Sequence, residues 1–145
     1  MLFSREVPFP DISEFSDACA FDVRTHNGFI AVTSGRTGAQ KFFHIFTKRG
    51  EAVRFVSVFV GGDKFRADDW RMFGVATDGG VRVFRKLGND TALYQLADVL
   101  NRREHFLALG SQYLYVGRCR VCNRPLANAD SLREGIGAEC KRKRN

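Results

Sequence analysis

Not one aromatic residue follows Cys119, although fourteen Phe, three Tyr and one Trp precede it in a chain of 145 residues. From Arg118 to Asn145 the only large aliphatic side chains are Val121, Leu126, Leu132 and Ile136. So few apolar groups cannot bury the surface such a segment must bury to fold alone. Something other than a hydrophobic core has to hold it. Long apolar runs are missing too: nowhere do about 18 apolar residues follow one another, the minimum for a membrane-spanning helix. The opening MLFSREVPFPDISEF has neither the basic stretch nor the continuous apolar run of a signal peptide. A soluble, cytoplasmic protein is expected.

Catalytic signatures are absent as well. The sequence has no P-loop, no G-x-G-x-x-G, no H-E-x-x-H and no nucleophile elbow, so an enzyme is the weakest reading. Cysteine is scarce, with four residues, and in a reducing compartment thiols are expected as ligands or core residues rather than as disulfides. Cys19 stands alone beside Ala18 and Ala20 and reads as a small buried hydrophobe. The other three lie near the C-terminus.

Hydrophobic residues at 44% and charged residues at 27% place the chain among folded proteins and well outside the disordered class. The net charge of +7 is uneven: residues 118–145 hold eight Lys/Arg and three Asp/Glu, whereas residues 1–117 hold fifteen and thirteen. Two parts are expected, an α+β sheet domain over 1–117 and a basic module over 118–145.

In the first part, β-branched and aromatic residues recur between Gly-containing turns. Strands are expected over about 29–33, 41–47 and 52–60, the third as a central strand in which only Arg54 and Ser57 interrupt the apolar run. Asp78-Gly79-Gly80 marks a hairpin between strands over 72–77 and 81–85. Leu93, Leu96, Ala97, Leu100 and Leu107 then recur at helical spacing, predicting one helix over 91–108 capped by Asn89 or Asp90 and closed by Gly110. A last strand over 112–116 leads into the cysteines. DISEFSDACAF, near the start, suits a short helix. The whole is an antiparallel sheet of about five strands with one main helix, followed by a zinc knuckle.

Cys119 and Cys122 form C-x-x-C, and seventeen residues separate Cys122 from Cys140, the usual interval between two such pairs. Zinc is the expected ion, being borderline soft and content with tetrahedral thiolate or imidazole ligands. Where a fourth cysteine would stand the residue is Lys143, so the fourth ligand has to come from elsewhere. His105, fourteen residues before Cys119, is the first choice; Cys19, His26, His44, Asp130, Glu134 and Glu139 are the alternatives.

The stretch from Cys119 to Cys140 resembles an uncharacterised zinc-finger-like domain of bacteriophage and bacterial proteins, with the pattern C-x-x-C-G-R-x-L-T-x-x-x-S-x-x-x-G-I-G-P-x-C. Cys119, Cys122, Arg124, Leu126, Ser131, Gly135, Ile136, Gly137 and Cys140 match it, whereas Asn123, Ala127 and Ala138 stand where Gly, Thr and Pro are usual. A weaker resemblance over about 28–86, to a region that accompanies this motif, includes Gly62 and Asp63. The resemblance implies a metal and a phage or prophage origin, and gives no activity. On these residues, Gly135 and Gly137 are expected to turn the chain tightly, Leu126 and Ile136 to cap the metal, and Ser131 to cap a short helix.

Arg118, Arg120, Arg124, Arg133, Lys141, Arg142, Lys143 and Arg144 crowd this module. Such a cluster attracts the phosphate backbone of nucleic acid, but with no aromatic for stacking and no recognition helix it supports only contact without sequence specificity. The alternative is a phage-encoded inhibitor that binds a host defence or transcription protein, with Trp70, between Asp68, Asp69 and Arg71, as an interface anchor.

Overall fold

Alternation decides which way each strand faces. In a computed structural model that describes residues 15–17, 20–48, 52–61, 69–126 and 128–144, seven antiparallel strands form one sheet: β1 (Ser16–Asp17), β2 (Asn27–Thr33), β3 (Gln40–Thr47), β4 (Arg54–Phe59), β5 (Trp70–Thr77), β6 (Gly80–Val83) and β7 (Gln112–Arg118), in spatial order β1-β7-β2-β3-β4-β5-β6. Ile30 and Val32, Phe43 and Ile45, Val56 and Val58 point to one face, because successive side chains of a strand take opposite sides. There they meet Leu93, Ala97 and Leu100 of helix α1 (Thr91–Asn101) in a single core.

The other face is aromatic. Phe29, Phe42, His44, Phe46, Phe55, Phe59 and Trp70 lie in ring contact across four strands. At its centre the buried His44 imidazole is stacked on Phe29 at 4.1 Å between ring centroids and on Phe46 at 4.8 Å. This two-sided burial is why the apolar run of β4 does not alternate. Trp70 is half-buried and packs on Phe29, His44 and Phe59, on its own sheet rather than out into solvent.

The expected α+β architecture is present, with seven strands instead of about five and with differences at its joints. Ser16 and Asp17 form a strand paired with Leu114 and Tyr115 where a short helix was expected; residues 11–14 and Cys19 lie outside the described residues. The expected single helix is two: α1 stops at Arg102, whose backbone turns to φ −115° and ψ 48°, and α2 (Arg103–Ala108) restarts after it. Two ties fix that joint: the Arg103 guanidinium donates to the Phe21 carbonyl, and the Tyr113 hydroxyl donates to the Val99 carbonyl at 2.6 Å. At the 78–80 turn only Gly80 has positive φ, 111°, and a Cβ there would sit 2.6 Å from Asn101 Oδ1.

Of the two capping candidates, Asp90 is the one used. Its carboxylate accepts from the N–H groups of Ala92 at 3.0 Å and Leu93 at 3.4 Å. Asp90→Ala is expected to cost about 1 kcal/mol, read as a fall of roughly 3 °C in thermal midpoint for a chain of this size.

Candidate metal centre

The site is built on the end of β7. Because β7 lies between β1 and β2, the chain leaves it at a fixed place, and residues 117–126 fold straight back on themselves: Leu126 N–H donates to the Gly117 carbonyl at 3.0 Å, Cys119 N–H to that of Arg124 at 2.9 Å, and Asn123 N–H to that of Cys119 at 2.9 Å. The turn requires one left-handed residue, and Asn123 supplies it with φ 64°. This is the position where the motif usually has Gly, and Asn is among the residues that tolerate this region best.

Helix α3 (Ala129–Glu134) follows. Its cap is Asn128, whose side chain accepts from Ser131 N–H at 2.8 Å, so Ser131 lies inside the helix, buried, instead of capping it. Gly135 ends α3 in the left-handed conformation at φ 75°, the usual helix stop, and a Cβ there would lie 3.0 Å from the His26 ring. Ile136 is buried and Leu126 half-buried. Helix α4 (Ala138–Arg144) then brings Cys140 back.

The result is a convergence of thiols. The Sγ atoms of Cys119, Cys122 and Cys140 all lie within 4.8 Å of one another, with Cys119 buried, Cys140 half-buried and Cys122 exposed. Backbone N–H groups of Val121 and Gly137 point at Cys119 Sγ, at 3.5 and 3.4 Å. Burial works to raise the Cys119 thiol, but the N–H groups of Gly137, Cys122 and Val121 together outweigh it and bring it down to about 7. Cys140 is pushed up to about 11, first by its hydrogen bond to Cys122 and then by burial and by Cys119. Crowded thiols resist a second negative charge, and a bound cation reverses that preference. A tetrahedral ion with metal–sulfur bonds of about 2.3 Å places its sulfurs roughly 3.8 Å apart, so small rotations of these side chains suffice to hold a metal ion.

Residues 114–145 match a family of unknown function (DUF6011). No curated protein and no solved structure matches the chain. The matched segment covers β7 from Leu114 onward, the C-x-x-C turn, α3 and α4, so it contains all three converging cysteines and leaves out most of the sheet.

His105 is not among the converging residues. It sits on α2, beside Phe106, in a cleft with Asp22, Arg24 and Arg103. Among the described residues, its ring nitrogens are not part of the cluster of ligand atoms that lie within 4.8 Å of one another. The alternatives among the described residues are engaged elsewhere. His44 is held in the aromatic stack, Asp130 pairs with Arg133, Glu134 with Lys141 and Glu139 with Arg124. His26 contacts the matched segment without reaching the sulfurs: its Nε2 meets the Arg133 carbonyl at 2.7 Å and its Nδ1 meets Thr25 Oγ1 at 2.9 Å.

A network between residues distant in sequence positions that histidine. Arg54 donates to Asn27 Oδ1 at 2.8 Å, to the Val23 carbonyl at 2.9 Å and to the His26 carbonyl. Tyr115 hydroxyl donates to the Asn27 carbonyl at 3.2 Å. These bonds lock residues 22–27 against the sheet, and His26 extends the lock to α3. Leu132 adds an apolar contact over Gly117 and joins the edge of the main core.

The basic residues divide. Arg118 lies over the Phe29 ring at 5.6 Å, and Arg120 donates to the Glu134 carbonyl at 2.5 Å, so both face the protein. Arg124, Arg133 and Lys141 make surface ion pairs with carboxylates. Arg142 and Lys143 are exposed on α4. Among the described residues no helix is long and apolar enough to cross a membrane.

Proposed function

We propose that the C-terminal segment is a zinc-stapled basic module that binds the phosphate backbone of nucleic acid without strong sequence specificity. The observation that carries this reading is the convergence of three thiols at the start of α4, which fixes a helix whose next residues are Lys141, Arg142, Lys143 and Arg144. Zinc is the ion that the donor set favours, because thiolates are soft ligands and the site requires no redox change. Three thiolates leave the ion with a net charge of −1, which weakens it as a Lewis acid, and the role is structural rather than catalytic.

The surface ion pairs do not oppose this reading. Exposed pairs contribute little, about 0–1 kcal/mol, so Arg124, Arg133 and Lys141 exchange a carboxylate for a phosphate at small cost. Arg118 and Arg120 serve the fold instead.

Fluorescence anisotropy with labelled duplex DNA at two salt concentrations tests the proposal. The protein is expected to bind different sequences alike and to weaken steeply with salt; Arg124→Gln/Arg142→Gln/Lys143→Gln is expected to lower the log–log salt slope by about 3. Absence of salt-sensitive binding by the zinc-loaded protein would sink the proposal.

A further inference from the structure

We propose that the cleft between α1 and the β2–β3 hairpin binds an amphipathic monocarboxylate, an independent site on the sheet domain. The cleft has a volume of about 380 Å³, within the range of small-molecule sites. Two small residues, Ala39 on the hairpin and Ala92 on α1, are among those that line it and leave it room. Its floor is apolar: Val32, Phe43, Leu96, Val99 and Phe106.

The polar groups at its mouth are donors. Lys41 stands on the core-facing side of β3, in line with Phe43 and Ile45 and opposite Val32. An inward-facing register position ordinarily takes an apolar residue, yet here it carries an exposed ammonium, and among the described residues no Asp or Glu lines the cleft. Ser34 Oγ accepts from the N–H groups of Arg36 at 3.2 Å and Thr37 at 3.3 Å, and Ser111 Oγ accepts from Gly35 N–H at 3.1 Å. With oxygen lone pairs occupied in this way, their hydroxyl protons remain to be donated. The Gln95 amide stands beside them. A cation and several donors above an apolar floor complement a ligand with one carboxylate and an apolar chain.

The test uses decanoate and the neutral decanol, both below the concentrations at which they aggregate, followed by amide chemical shifts of the full chain. Decanoate is expected to bind saturably at one site, with shifts at Val32, Phe43, Leu96 and Ser111. Lys41→Met is expected to weaken decanoate about tenfold, the scale of one charge-assisted hydrogen bond, and to leave decanol unchanged. Ala92→Phe, at an exposed position of the first helical turn, fills the cleft and is expected to abolish both; Ala39→Leu provides the same test from the hairpin side. No saturable decanoate binding by the unaltered protein overturns the proposal, as does binding that persists in both filled variants. Equal loss of decanoate and decanol in Lys41→Met overturns the carboxylate assignment.

Discussion

Chelation of the metal, or Cys119→Ser, is expected to release residues 118–145 to proteolysis while the sheet stays folded. Tryptic cleavage after Arg120, Arg133 and Arg142 should accelerate by about a hundredfold or more, given that structural zinc supplies on the order of 10 kcal/mol to small thiolate modules. The asymmetry follows from where the apolar surface is. Ile30, Phe43, Ile45, Val56 and Phe73 are completely buried and owe nothing to the cysteines. Among the described residues, the large aliphatic side chains of the C-terminal segment contribute only Ile136 buried and Leu126 and Leu132 half-buried. Beyond the β7 pairing of Arg118, a hydrogen bond from His26 ties the segment to the sheet. Limited digestion read by mass spectrometry checks this, with far-UV circular dichroism reporting on the sheet. A segment that stays protected after chelation would mean that Leu132 and His26 hold it unaided.

Acid is expected to destabilise the sheet through His44. Burial between Phe29 and Phe46, with the Arg118 guanidinium nearby as a second cause, holds its imidazole down at about 3, against 6.5 for a free histidine. Well above pH 6.5 neither the folded nor the unfolded chain protonates this ring, and the group contributes no pH dependence. Below pH 6.5 the unfolded chain takes up a proton that the folded one refuses, so stability falls with falling pH, by up to about 1.4 kcal/mol per unit and about 3 kcal/mol by pH 4. His44→Phe keeps a ring in the stack and removes the titration. Urea unfolding at pH 7 and pH 4.5 should show the variant losing less than half as much stability as the unaltered protein; equal losses would place the acid sensitivity in the carboxylates.

Much of this architecture is legible in the sequence, and the rest fails to show for identifiable reasons. Strands β2 to β7 announce themselves through β-branched and aromatic residues between glycine turns. β1 does not, because Ser16 and Asp17 have little strand preference of their own and extend only by pairing with the edge of β7. The break at Arg102 is followed by Arg103 and Glu104, good helix formers that give no local warning; the bonds of Arg103 to the Phe21 carbonyl and of Tyr113 on β7 to the Val99 carbonyl, both between residues distant in sequence, decide it.

At the site, spacing alone identified Cys119, Cys122 and Cys140. The His26, Asn27 and Arg54 network was hidden because its members lie 27 and 28 residues apart, beyond any local pattern. One trace was visible: Arg54 interrupts an otherwise apolar strand, and such a residue in a central strand has to find hydrogen bonds. Likewise the pairings of Arg124 with Glu139 and Lys141 with Glu134 cross the Gly135 turn rather than one helix face, so counting charges overstated how many cations stand clear.

Native mass spectrometry with elemental analysis of the purified chain tests the central claim most directly. One zinc ion per chain is expected in the unaltered protein, lost in Cys119→Ser and in Cys140→Ser and retained in His105→Ala. An unaltered protein that carries no zinc when purified and takes none up when it is supplied would contradict the account.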